Sequence, residues 1–346
     1  METASYIAPR ITRHSVAPCD PTGQTRSRPA AMVVSLDFEL YWGVRDQVPL
    51  DRSERNRLLA ARSLVPRILD LFEEFSIHAT WATVGLLFAR SREEAEAFRP
   101  KNEPSYVDQR LNPYRELLGA GEADDPFHFA PSLISLIASR EGQEIASHSF
   151  SHYYCMEPGQ TAADFEADLR GAIAIADHAG YKLLSYVFPR NQVNPEYLDV
   201  LQRYGVRIYR GNEEVAIKRA ASFSSQRRIH KRVGRLLDAY VSVCGDQLAP
   251  WPSPRSPALI RPSRYLRSST AVLRYLEPRL LQRIRNQMKA AVEQGQIFHL
   301  WWHPEDFAAD GEHSLRFLRE VLTTFNAYRE AYGMKSLSMA ETLVTS

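Results

Sequence analysis

The 346 residues predict an α/β barrel, a parallel sheet curled on itself with helices packed outside. Two observations carry this. After residue 30, segments of strand and helix character alternate through about seven units. Acids, histidines and an arginine then stand just past the ends of several different strands, where an α/β barrel assembles its site. An open doubly wound sheet would collect that chemistry at one switch point instead.

Residues 1–30 hold Pro, Thr, Ser, Gly and scattered Arg without an apolar period, and read as a flexible or loosely docked arm. The barrel is expected to occupy 31–346. AMVVSLDF is a β-branched run consistent with a buried first strand. Residues 58–75 have helical spacing, with Leu58, Leu64, Ile68, Leu69 and Phe72 on one side and Pro66 as a candidate kink. A strand follows at 77–85, a short helix at 131–140 and a strand at 143–148. The helix 161–180 has Thr161 placed to cap its start and Gly180 past its end. Strands at 182–188 and 206–211 flank a helix starting near Pro195. A helix at 271–295, a strand at 296–302, a helix at 313–333 and a short strand near 335–338 complete the series. Residues 212–270 do not fit the alternation and read as an insertion. Lys218, Arg219, Arg227, Arg228, Lys231, Arg232 and Arg235 occur there without an intervening acid. Ile229, Val233, Leu236, Leu237 and Tyr240 add a helical apolar stripe, so a basic amphipathic helix is expected over 226–240, followed by a Pro-rich loop.

Composition narrows the chemistry. Apolar residues make up 44% and charged residues 24%, a globular balance that excludes wholesale disorder. The 43 Lys and Arg face 41 Asp and Glu, and a net charge of +2 argues against bulk electrostatic binding of nucleic acid. No base-reading motif or phosphate-cradling glycine loop is present either. Cys19, Cys155 and Cys244 are odd in number and far apart, which excludes a disulfide framework and a Cys-rich zinc site. A metal would therefore be held by histidine and carboxylate. No segment has the length and apolarity of a targeting or membrane-spanning sequence, so a cytoplasmic location is the default expectation.

Four clusters could do chemistry. His148-Ser-Phe-Ser-His152 sets two imidazoles four residues apart, within reach of one ion on a turn; on an extended strand their Cα atoms would lie ~13 Å apart. The pair must sit where a strand ends. Asp37 and Glu39 end the first strand on one face, with Cα atoms ~6.6 Å apart, so one can ligate a metal while the other serves as a base. In Phe298-His-Leu-Trp-Trp-His303, His299 lies within the strand and reads as a core or supporting histidine, while His303 falls at its C-terminal end. Trp301 and Trp302 offer an aromatic wall for a sugar ring, and Trp42 is a further candidate contact. In Phe188-Pro-Arg-Asn-Gln192, Arg190 is placed to hold a carboxylate ionised and Asn191 to meet a carbonyl.

With SLDFEL, ATWATVG, EIASHSFSH, FPRNQ and HLWWHPEDF in this order, the chain from about Val33 to Glu341 resembles the polysaccharide deacetylase superfamily, carbohydrate esterase family 4. The likeness is greatest to the branch found in surface-polysaccharide biosynthesis. The resemblance implies a distorted (β/α)7 barrel that binds one divalent ion, typically zinc, and removes N-acyl groups from sugars. It assigns Asp37 as catalytic base, Glu39 with His148 and His152 as metal ligands, His303 as general acid and Arg190 as the arginine of the catalytic group. The sequence departs from the usual pattern: the second acid is displaced to Glu39, the arginine follows the proline as Arg190, and Arg210-Gly-Asn212 stands where an acid-rich motif is usual. Two other readings stay open. One is a deformylase acting on a lipid-linked sugar, with the basic helix 226–240 as a peripheral membrane contact on the inner face. The other is a catalytically degenerate barrel that only binds carbohydrate.

Overall fold

Strand β1 (Ala31–Phe38) is buried along its whole length, and its alternation sets the plan of the fold. Met32, Val34, Leu36 and Phe38 face outward into the layer of helices, whereas Ala31 and Val33 join an inner cluster with Ala82, Val187, Ile208, Ile260, Ile297 and Leu337. Ser35 and Asp37 continue that inner face upward. The inside of the sheet is thus an apolar plug below and a polar site above, a consequence of the two-residue period of a strand.

The computed structural model describes residues 28–212, 247–267 and 274–344. Its elements alternate as the pattern predicts: α1 (Arg52–Glu74), β2 (Ala79–Thr83), α2 (Arg92–Phe98), α3 (Pro131–Ala138), β3 (Gln143–Ser147), α4 (Ala162–His178), β4 (Ser185–Val187), α5 (Leu198–Arg203) and β5 (Ile208–Arg210). Then come β6 (Ala258–Ile260), β7 (Arg264–Tyr265), α6 (Glu277–Gln294), β8 (Ile297–Trp302), α7 (Gly311–Tyr332) and β9 (Lys335–Leu337). The sheet runs β6-β5-β4-β3-β2-β1-β8-β7 with every pair parallel, and β9 adds to the lower half of β1.

β6 pairs with β5 at one edge and β7 with β8 at the other, yet only Arg261–Ser263 separates them in the chain. This bent segment serves both edges and takes one strand's place, so the curled sheet is a distorted barrel. Parallel pairing with helical crossovers explains why the strands read as buried runs.

Several boundaries differ from expectation. α1 starts at Arg52, capped by the Asp51 side chain on Glu54 N–H, and runs through Pro66 without ending. α4 has the predicted Thr161 cap, completed as a reciprocal box by Asp164, and Gly180 beyond it has φ 87°. α2 lies in a stretch without a clear period.

Residues 1–27 and 213–246, including the expected basic helix 226–240, lie outside the described residues. The insertion expected over 212–270 is corrected in its later part. Ala249 bridges Ile297, and β6 and β7 belong to the barrel itself. Strands of three and two residues, bracketed by Pro257 and Pro262, are too short to show a period. At the other end, Ala30 is already buried and the Arg28 guanidinium lies over Trp251, 5.5 Å from the ring centre. Among the described residues no helix is long and apolar enough to cross a membrane.

Candidate active site

Each cluster foreseen at a strand end opens onto one place. Asp37 is the last inward residue of β1, and Glu39 follows at the entry to a 3-10 turn, Leu40–Gly43. That turn needs glycine, because a Cβ at position 43 would overlap the Glu39 carboxylate. Leu40 sits at φ 45°, held by its N–H donating to Glu305 Oε1 at 2.7 Å. Burial, then the nearby charge of Glu39, pushes the Glu305 carboxyl up to about 7.

His148 follows β3 directly, and the chain reverses so that His152 returns to the same point. Ser149 and His152 adopt φ 61° and 58° to make this turn. Buried Asp168 on α4 holds it in place, accepting from Phe150 N–H at 2.7 Å, from Ser151 N–H at 3.2 Å and from Ser151 Oγ–H. Among the described residues six non-glycines have positive φ, and Leu40, Ser149, His152, Arg190 and Asn191 are five of them. Backbone strain concentrated in these loops marks a site whose surroundings over-determine it.

Glu39, His148 and His152 form the one group of metal-binding type found among the described residues, with donor atoms within 4.8 Å of one another. Glu39 Oε2 lies 3.2 Å from His148 Nε2 and 3.0 Å from His152 Nε2. His148 Nδ1 faces the Val187 carbonyl at 2.9 Å and must carry its proton there. In the neutral ring Nε2 is then a bare lone pair pointing at a carboxylate oxygen. Burial pushes His152 down to about 4, so its ring is held neutral and its Nε2 can be a donor atom. Acceptors converging on acceptors are satisfied by a cation, and a carbonyl-anchored imidazole is the usual support of a metal ligand. The donor set fits a divalent ion.

Beside this group stands Asp37, whose two oxygens each take a hydrogen bond of 2.6 Å from Arg210. Burial works against charge on Asp37, but Arg210 wins and holds the carboxyl below its usual range. His303, at the end of β8, completes the site. Its Nε2 is 3.8 Å from Asp37 Oδ2 and 3.7 Å from Glu39 Oε1. Its Nδ1 faces Asp306 Oδ2 at 3.0 Å, and Tyr265 Oη–H donates to the same oxygen at 2.5 Å. Burial opposes the imidazolium, yet Asp306, Glu39 and Asp37 together hold it well above the ordinary histidine range.

The structure therefore brings Asp37, Glu39, His148, His152 and His303 together. Asn191 joins them by accepting from Arg210 at 3.2 Å, and Trp301 by lying half-buried against Arg210, Tyr265 and His303. Three expectations are corrected. Arg190 does not hold Asp37: it pairs with Asp46 at 2.6 Å and lies over Tyr154, whose hydroxyl is 3.3 Å from His152 Nδ1. Trp42 is buried among core residues, its indole N–H on the His128 carbonyl. Trp302 is fully buried, stacked on Phe307. Adjacent residues on a strand face opposite ways, so of the tryptophan pair Trp301 alone reaches the site. Arg210, Asp306 and Tyr265 were not foreseen as site residues. Alternation could have found Arg210, since Ile208 two residues earlier belongs to the inner face.

With this geometry in view, the comparisons with known proteins point one way. Residues 56–209 match the polysaccharide deacetylase family. The match includes both histidines of the metal group and stops one residue before Arg210. No curated protein matches the chain in sequence. Among solved structures, a protein from Mycobacterium smegmatis described as a polysaccharide deacetylase is 14% identical, with TM-score 0.57 over 95% of this chain and 94% of that one. A Pseudomonas aeruginosa PAO1 protein of the same description is 11% identical, with TM-score 0.51 over 91% and 89%. Puue allantoinase is also 11% identical, with TM-score 0.51 over 95% and 97%. At these identities the likeness is one of fold.

Proposed function

We propose that this protein is a zinc-dependent amide hydrolase that removes an N-acyl group, in the first instance N-acetyl, from a sugar used in surface-polysaccharide assembly. The observation that carries the reading is the convergence, from the ends of β1, β3 and β8, of a Glu–His–His group with an Arg-held aspartate and an Asp-held histidine. The family match over residues 56–209 and the ordered motifs support the sugar substrate. Two imidazoles and one carboxylate are a zinc-type donor set that leaves coordination positions open.

Glu39, His148 and His152 would hold the ion, which when bound supplies Lewis acidity toward the acyl oxygen and a more acidic water. The chain's own groups do the rest. Asp37, kept ionised by Arg210, accepts the proton of the water that attacks the acyl carbon. His303, kept protonated by Asp306, gives a proton to the departing amine nitrogen. The two groups border the same point in space, 3.8 Å apart, so water activation and leaving-group protonation occur at one centre. Half-buried Trp301 offers the sugar an aromatic edge, and Asn191 a side-chain amide.

The test joins metal analysis of the purified full chain to acetate release from N-acetylated sugars. Activity is expected to vanish on chelation and return with zinc, and His148→Ala and His152→Ala are each expected to lose both metal and activity. Either variant keeping its metal and full activity would sink the reading.

A further inference from the structure

Arg210 is 1% exposed, and all four of its terminal N–H groups are engaged. Nη1 donates to Asp37 Oδ1 at 2.6 Å and to Ser35 Oγ at 3.0 Å, and Nη2 to Asp37 Oδ2 at 2.6 Å and to Asn191 Oδ1 at 3.2 Å. A guanidinium can only donate, so Ser35 Oγ is an acceptor toward Arg210 and its own proton must go elsewhere. The remaining partner of that hydroxyl is His299 Nε2, at 2.8 Å. His299 Nε2 is then an acceptor, and the ring proton sits on Nδ1, which faces the Arg261 carbonyl at 3.2 Å. Each proton that links the chain Arg261 carbonyl, His299, Ser35, Arg210, Asp37 has one permitted direction. Ser35 and His299 are both fully buried on the inner face of the barrel, directly beneath the base.

From this geometry we propose that His299, acting through the Ser35 hydroxyl, is a positioning residue that fixes Arg210 on Asp37. The proposal rests on the hydrolase reading given above, in which Asp37 is the base. A guanidinium held only by the carboxylate it serves can rotate with it. One anchored from behind by a hydroxyl with a single permitted orientation presents a fixed fork, so the Asp37 carboxylate is aimed before substrate arrives. His299 suits this task because it stays neutral: burial, then the positive charge of Arg210, pushes it down to about 3.

Two side-chain replacements separate positioning from mere packing. In His299→Gln the amide end can stand where Nε2 stood and accept from Ser35, whereas in His299→Asn it reaches only the Nδ1 position. His299→Asn and Ser35→Ala are each expected to lower kcat by about tenfold to a hundredfold. KM and zinc content should be unchanged, and His299→Gln should recover most of the loss. The double variant Ser35→Ala with His299→Asn should be no worse than either alone, since both break one chain. Unchanged kcat in Ser35→Ala, equal impairment in His299→Gln and His299→Asn, or additive losses would each overturn the proposal. Nitrogen-15 NMR of histidine-labelled protein gives a readout independent of activity. The resonances absent from His299→Gln should report a proton on Nδ1 and none on Nε2. A proton on Nε2 overturns the relay even in an active enzyme. A wild-type chain that releases no acyl group from any N-acyl sugar would instead overturn the functional reading, and the NMR result would still decide the relay.

Discussion

Two arginines stand near the site, and their partners divide the labour between them. Arg210 holds Asp37, the proposed base, with both of its terminal nitrogens, whereas Arg190 pairs with Asp46 behind His152. Arg210→Lys cannot form a two-pronged bond to the carboxylate and leaves Ser35 without its donor. We expect it to lower kcat by about a hundredfold or more with zinc content intact. Arg190→Ala is expected to act first on metal retention, because Tyr154 loses its stacked cation and the His152 ring its steady neighbour. Parallel zinc titration and initial-rate measurements on both variants check this; a larger kcat loss in Arg190→Ala at full zinc occupancy would reverse the assignment. The two were confused in the sequence for a physical reason. Arg190 follows β4 in the expected place, but its backbone there is left-handed, at φ 53°, and its side chain pairs with Asp46 rather than Asp37; nothing in residue order foretells a left-handed backbone.

Elements act here chiefly as clamps on the loops they follow. α4 presents Asp168 to the His148–His152 turn, and burial pushes that carboxyl up to about 6 despite its hydrogen bonds. The sign follows directly. Between about pH 4 and 6 the folded chain keeps a proton that the unfolded chain, with an ordinary aspartate, has released. Stability contributed by this group is therefore present below that window and lost as pH rises through it, by an amount on the order of 3 kcal/mol. Asp168→Asn should flatten that part of the curve and weaken zinc binding, since its amide N–H₂ would face backbone donors. Thermal melts of both proteins from pH 4 to 7 test it; parallel curves would count against a buried, titrating Asp168. The helix itself was legible, from the Thr161 cap to Gly180. The clamp was not, because Asp168 is an unremarkable acid in a helical run until α4 docks.

For the molecule as a whole, closure of the barrel decides what the inner face can hold. β9 and the residues after it bring Leu337 and Met339 into the apolar plug, and Met339 N–H donates to Thr80 Oγ1 at 2.8 Å. Met339 is fully buried, so Met339→Ala should cost roughly 2–5 kcal/mol of stability. Zinc content and kcat at low temperature should hold, because the plug lies below the polar layer. Denaturant unfolding with metal analysis checks this, and loss of zinc in a folded variant would show that floor and site are coupled. The helix–strand alternation and the long strands β1 and β8 could be read from residue order, as could the acids and histidines at their ends. The closing segment Ala258–Tyr265 could not, since its strands are too short to carry a period.

What the sequence determined by itself is everything that local periodicity controls. It set the strand–helix alternation, where α4 begins and ends, and that a metal would be held by histidine and carboxylate, with His148 and His152 close enough on a turn to share it. Only the tertiary structure decided which arginine serves Asp37, which acid supports His303 and which of two adjacent tryptophans meets the site. Those choices depend on how β5, β7 and β8 come together when the sheet curls. Residues distant in sequence become hydrogen-bond partners there, as Ser35 does with His299, and residue order carries no record of that distance.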